Sequence, residues 1–353
     1  MAIEVSMRKF VSFLLVCLFI QSAETCTIFS IYPKNQHWIG RTFDWAYGHG
    51  LVYTNKRNIT KTSLKLLPSD VQSTWTSKYG SVSFNQFGRE FPNGGMNERG
   101  FMIDALELKS SVFPSKDSRP SFNELQFIQY VLDNYSSVET LANDLKSIRI
   151  SPVGSKLHYF ACDVKRCMTI EYIEGEAVTH YGDKLLISGL ANNTYQEHLD
   201  YAKDFVTFGG DKPVVLGTKN SLDRFVRSNY NAKFINQAVD PVQTLFDILE
   251  DVGSVNNRWQ LIYNQNENTI TFRTQTQFDK QRKVSLNEID FSCAKSSQYF
   301  DLDSETAGDV NQALADFNFE VNLQVIKKSV LMQGLPVPLA HRLAVYPSET
   351  QCN

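Results

Sequence analysis

The chain has 353 residues, 42% of them hydrophobic, with 35 basic against 38 acidic side chains and a net charge of −3. That length supports a full hydrophobic core, and no basic stripe runs along it, which argues against a nucleic-acid partner. The six histidines are scattered without metal-ligand spacing, so neither a metal nor another cofactor is expected.

Arg8 and Lys9 precede an apolar run, Phe10 to Ile20, broken only by Ser12, and then the small, polar stretch from Gln21 to Thr25. This is the order of a secretory signal peptide. A run of eleven residues is too short to cross a bilayer, which needs about 20, and no later stretch is long and apolar enough. An exported chain without a transmembrane segment is expected, with residues 1–25 removed. Ala23 and Thr25 suit a signal-peptidase cut just before Cys26. A cut after Ala23, with Glu24 and Thr25 trimmed later by the protein itself, fits equally well. Glu24-Thr25 does not suit a lipoprotein signal.

Strand-like alternation runs over Thr27–Tyr32, and "HWIGRTFDW", His37–Trp45, reads as a second strand. Ser81–Phe87 is strand-like. "PNGGMNERGFMIDALEL", Pro92–Leu108, reads as a glycine turn followed by a buried strand. Ser121 and Glu124 form the pattern of a capping box ahead of a helix running to about Asn134. A second helix covers Val138–Ser147. "LHYFACDVKRCMTIEYI" is a hairpin, with a further strand at Ala177–His180. Lys184–Leu190 reads as a buried strand. Helices are expected at Tyr195–Phe205, at Leu222–Asn236 and, with Pro241 at a favoured first-turn position, at Pro241–Val252. "RWQLIYNQNENTITFRT" is a hairpin, and another helix lies near Asp309–Phe317. Strands in hairpin runs and helices in pairs point to α+β architecture with antiparallel sheets covered by helices.

Exported proteins favour disulfides. With Cys26 set aside, Cys162, Cys167, Cys293 and Cys352 allow three connectivities. The short turn between Cys162 and Cys167 favours a local bridge, which would leave Cys293 for Cys352. Cys26 is then the odd thiol. At a free N-terminus it would carry its own base, because an α-amino group titrates at roughly 7.7–8.0 and a thiol at about 8.5. Such a thiol can attack an amide and form a thioester that water hydrolyses. The site would also need a cation for the thiolate, an anion for the ammonium group and donors for the oxyanion. Arg41 and Asp44 in "GRTFDW" offer the first two, although spacing alone favours an ordinary surface arginine and a loop aspartate.

Taken together, "CTIF…GRTFDW", "GGMNERGFMIDALEL", "ISGLANNTYQEHL", "NSLDRFVR" and "RWQLIYNQNENTITFRT" resemble, in order, the segments of the choloylglycine hydrolase family. That family includes penicillin V acylases and bile salt hydrolases within the N-terminal nucleophile superfamily. The resemblance runs from Cys26 to about Phe291. It implies a four-layer αββα sandwich, with residues 26–353 as one domain, and a homotetramer. It implies cleavage of a linear, non-peptide amide in a small-molecule N-acyl substrate. Cys26 would be the nucleophile, Arg41 would sit against the sulfur and Asp44 would bind the α-amino group. Asn192 would donate to the oxyanion beside a backbone N–H at Glu107, and Arg224 would complete the charged cluster. Glu107 departs from the Asn or Tyr of the better-known branches, and a carboxylate there would alter the pocket's polarity. Trp45, Tyr47, Trp75 and Phe113 are candidates for acyl-chain contacts, though core packing is the commoner fate of each. The alternatives are a lipid amidase cleaving N-acylethanolamines or ceramides, and an exported binding protein that keeps the fold without activity. A papain-type protease would not need a terminal cysteine.

Overall fold

The computed structural model describes residues 25–214, 217–235 and 240–353. Most of the expected leader, and the end of the helix expected to reach Asn236, lie outside the described residues. Two large sheets dominate. In the seven-stranded sheet the order is Gly189–Leu190, Thr27–Ile31 (β1), Trp38–Asp44 (β2), Asn257–Asn264, Thr269–Thr274, Gln277–Ser285 and Gly308–Asp309. The nine-stranded sheet runs Glu176–Tyr181, Cys167–Ile173, Leu157–Cys162, Met102–Glu107, Gly94–Asn97, Ser81–Asn85, Leu51–Asn55, Gln298–Asp301 and Ala315–Asp316. Neighbours in both pair antiparallel except the last pair of the smaller sheet.

Alternation along the strands sorts side chains into layers. Ile28, Ile39, Phe43 and Leu261 of the first sheet meet Val82, Phe84, Met102 and Phe160 of the second in one core cluster. The outward residues Phe29, Ile31 and Trp38 pack instead with Leu245, Phe246 and Leu249, which lie on a later helix. On the far side, Ile103, Tyr159 and Ile170 pack under Phe127, Val131 and Leu141. The helices are α1 (Gln126–Asn134), α2 (Val138–Asp144), α3 (Tyr195–Ala202), α4 (Ser221–Ala232), α5 (Pro241–Val252), α6 (Phe319–Met332) and α7 (Val337–Val345). The result is the expected α+β sandwich: α4 and α5, two sheets, then α1 and α2.

Local chemistry explains where the helices begin. Asp240 accepts from the Val242 and Gln243 amides ahead of Pro241, and Asn220 accepts from Asp223 N. Thr194 and Glu197 form a reciprocal capping box at α3. The box expected at Ser121 and Glu124 does not form. Ser121 lies in a two-residue strand and its Oγ accepts from Val71 N, while Asn123 Oδ1 takes the Leu125 and Gln126 amides. Glu124 serves another loop, accepting from the amides of Val153, Gly154 and Ser155.

Two further expectations are corrected. Lys184–Leu190 is a strand only at Gly189–Leu190, and Leu186 is 73% exposed rather than buried. No α-helix covers Asp309–Phe317. Asn311 instead bonds the backbone of Ser285 through both ends of its amide, imitating a paired strand. The C-terminal helices α6 and α7 pack Leu323, Ile326, Val330 and Leu343 onto Leu51, Tyr53, Phe87 and Phe91. Disulfides join Cys162 to Cys167 and Cys293 to Cys352, and Cys26 is the free thiol.

Candidate active site

Cys26 stands at the mouth of β1, whose register with β2 sets Thr27 opposite Thr42 and Ile28 opposite Arg41. Pairing the strands therefore carries Arg41 and Asp44 to the cysteine, and all three are at most 1% exposed. The surface arginine and loop aspartate that spacing favours are not what the fold makes. Thr27 N donates to Thr42 Oγ1 at 3.0 Å. The cysteine Sγ lies 3.9 Å from the Asp44 carbonyl oxygen.

Arg41 crosses from one sheet to the other. Its Nε pairs with Asp104 Oδ1 at 2.6 Å, and its Nη2 donates to Ala105 O at 2.7 Å. Tyr263 donates its hydroxyl to the second Asp104 oxygen at 2.7 Å. The carboxylate needs room, and Gly94, opposite Asp104, supplies it: a Cβ there would fall 1.9 Å from Asp104 Oδ1. Burial works against the Arg41 charge, and Asp104, joined by Cys26, Tyr263 and Asp44, more than offsets it, leaving its pKa above the ordinary value. Burial lifts Asp104 to about 6 against the pull of Arg41. Arg41 Nη1 is buried without a hydrogen-bond partner.

Arg224 is the second cation. Its Nη1 donates to Thr25 O, to Cys26 O at 2.7 Å and to Thr27 Oγ1 at 2.5 Å. Its Nη2 donates to Asn192 Oδ1 at 2.8 Å. Burial lowers its pKa to about 10, although Asp44 and Cys26 favour the charge. Asn192 in turn donates Nδ2 to Glu107 O at 2.8 Å, and its own amide donates to Ser221 Oγ at 2.8 Å. It is thus the Glu107 carbonyl that meets the asparagine. Burial raises the Glu107 carboxyl pKa.

Asp44 accepts from Ser254 N at 2.6 Å through Oδ1, while Oδ2 is buried without a partner. Burial raises its pKa. The Cys26 thiol is pushed up to about 12 by burial, with Arg41 pulling it down and Asp44 pushing it up. In this chain the Cys26 nitrogen is still an amide joined to Thr25. All five charged and polar residues expected at the site are therefore gathered: Arg41 and Asp44 by strand register, Asn192 and Arg224 by one shared guanidinium, and Glu107 through its carbonyl.

Asp104 and Tyr263 were not anticipated. The usable signal was an aspartate inside the otherwise apolar run "FMIDAL". Trp45 packs against the inner core that holds Cys26. Trp75 and Phe113 belong to the outer cluster under α1 and α2, where Trp75 donates to Asp133 at 2.8 Å. Tyr47 stacks on His49 beside α6. Among the described residues, His37, Cys162 and Cys167 come close enough to hold a metal ion, but the two sulfurs are joined in a disulfide.

Comparison with known proteins identifies a family and a fold. The family model for linear amide C-N hydrolases, choloylglycine hydrolase family, matches residues 26–293. A penicillin V acylase of Pectobacterium atrosepticum is 29% identical over 255 residues, 63% of this chain and 64% of the relative. The match thus spans a little under two thirds of that relative's length. The structure of penicillin V acylase from Agrobacterium tumefaciens aligns with a TM-score of 0.72 at 26% identity, over 83% of this chain and 98% of that one. A conjugated bile acid hydrolase from Clostridium perfringens shares the fold, with a TM-score of 0.66 at 17% identity over 81% of this chain and 99% of that one. Helices α6 and α7 lie beyond the region that the family model matches.

Two outcomes follow from this geometry. Asp104→Ala leaves a buried arginine without its counter-charge and is expected to cost about 3–5 kcal/mol of stability, read by urea unfolding at pH 7. An unchanged midpoint would show that the pair contributes nothing. With Thr25 attached, a thiol titrating near 12 carries almost no thiolate at pH 7. Iodoacetamide should therefore leave Cys26 unmodified there over hours, as peptide mass mapping would show. Rapid labelling would contradict the burial argument.

Proposed function

Because the chain belongs to the choloylglycine hydrolase family of linear amide C-N hydrolases, we propose that it hydrolyses an N-acyl amide, with Cys26 as nucleophile once residues 1–25 are removed. One observation carries the reading: the Arg224 guanidinium binds both the Cys26 carbonyl oxygen and Asn192 Oδ1. The family match also begins at Cys26.

Removal of the leader would turn the Cys26 amide into an amine with a pKa near 8. That amine takes the thiol proton, and its ammonium form is held by the Asp44 carboxylate, whose Oδ2 is buried without a partner. The unpartnered Nη1 of Arg41 and the Arg224 charge favour the thiolate. Sulfur attacks the substrate carbonyl carbon. Asn192 Nδ2 and the Glu107 N–H donate to the oxygen as it gains charge. The ammonium group returns its proton to the leaving amine, the C–N bond breaks and an acyl thioester remains. Water, deprotonated by the same amine, then releases the acid and the thiol. Two disulfides support export to an oxidising compartment.

Cys26→Ala, expressed so that the chain begins at residue 26, is expected to lose all turnover. The assay is amine release from a panel of phenoxyacetyl, bile-acid, acyl-homoserine-lactone and acylethanolamide substrates. Turnover equal to wild type in that variant would remove the cysteine from the mechanism. The panel member cleaved fastest identifies the acyl group.

A further inference from the structure

Two buried polar side chains stand behind Asn192 and have no part in the steps above. His158 and Glu171 are both 0% exposed. Their strands pair with Tyr159 opposite Ile170, which sets His158 against Glu171 one step further along. His158 Nδ1 lies 3.4 Å from Glu171 Oε1. The other ring nitrogen, Nε2, donates to Ala191 O at 2.7 Å. Glu171 Oε1 also accepts from Tyr195 N at 2.9 Å. The pair therefore grips the backbone on both sides of Asn192: the carbonyl just before it, and the amide that opens α3 just after it.

The carbonyl partner fixes one end of the ring. Nε2 must carry a hydrogen, because a carbonyl oxygen can only accept. Nδ1 then faces Glu171 Oε1. A hydrogen-bonded pair of this kind costs far less to bury than a lone charge. The other titratable groups nearby are His180, with Nδ1 4.0 Å from Glu171 Oε2, and His198, with Nε2 3.4 Å from Ser221 Oγ. Ser221 and Arg224 hold Asn192 from α4. His158 and Glu171 hold its loop from the nine-stranded sheet, so the asparagine is fixed between two layers.

We propose that His158, together with Glu171, is a positioning residue that sets the place of the Asn192 amide. The proposal rests on the amide-hydrolase reading above. A donor aimed at an oxygen matters most when that oxygen becomes negative, so loosening Asn192 acts on kcat more than on KM.

The test is a cycle of variants in the chain starting at Cys26, assayed on the panel amide that the wild type cleaves. His158→Phe keeps the bulk of the ring but loses both polar contacts. It is expected to lower kcat about 10- to 100-fold, less than the full loss of an oxyanion donor, with KM changed less than about threefold. His158→Gln can still donate to Ala191 O and should recover most of that loss. In an Asn192→Ala background, His158→Phe should add little, because its target is already gone. Equal losses in both backgrounds, or a change confined to KM, would overturn the positioning role. If His158→Phe does not fold, judged by circular dichroism, Glu171→Gln in the same two backgrounds decides on the same criterion. A wild-type chain that cleaves no panel amide would instead overturn the hydrolase reading, and the positioning role with it.

Discussion

The Arg224 guanidinium ties together three parts of the chain that are far apart in sequence. Its donors end on the backbone of Thr25 and Cys26, on the Thr27 hydroxyl, on Asn192 Oδ1 and on Lys219 O. A planar fork with fixed donor directions can hold these acceptors at once, and a lysine could not. Without it, the first strand, the loop before α3 and the start of α4 would have no common fixed point. Burial makes the charge costly and, with Arg227 nearby, lowers its pKa to about 10 even though Asp44 and Cys26 favour the charge. What offsets that cost is the set of oxygens around it.

Charge at this site is balanced across the two sheets. Arg41 belongs to the smaller sheet and finds its counter-ion, Asp104, on the larger one. Asp44 lies on the same strand as Arg41 but is held by Ser254 N. Arg41 is thus neutralised by a residue other than Asp44, which keeps one oxygen unpaired. The same logic explains the glycine opposite Asp104: any side chain at Gly94 would occupy the space of the carboxylate. A motif that reads as a turn in the sequence is a clearance for a buried ion pair in the fold.

Much of this was legible from the sequence because it rests on neighbouring strands. The cysteine, Arg41 and Asp44 lie on two adjacent strands, and one hairpin register brings them together, although spacing alone favoured a surface arginine and a loop aspartate and the family segments supplied their roles. Asn192, Glu107 and Arg224 come from three separate elements, and only the ordered family segments pointed to them. The hairpins and α5 were readable from alternation, capping residues and a first-turn proline. Asp104, Tyr263, His158 and Glu171 escaped because each is explained by a partner across a sheet or on another strand, and no local pattern encodes that. The C-terminal helices escaped for a different reason. "FEVNLQVIKKSVLM" is rich in Phe, Val and Ile, whose local preference is for strands, and the helix forms because its apolar residues reach Leu51 and Phe91.

The central claim is that Cys26 works only as the first residue of the chain. The most direct measurement is the intact mass of the N-terminal peptide from the purified protein, with amide turnover measured on the same sample. The account predicts a peptide starting at Cys26 and turnover that rises in proportion to the fraction of chains so processed. Full turnover from protein that still carries Thr25 would contradict it, because the nitrogen of Cys26 would then be an amide with no capacity to take the thiol proton.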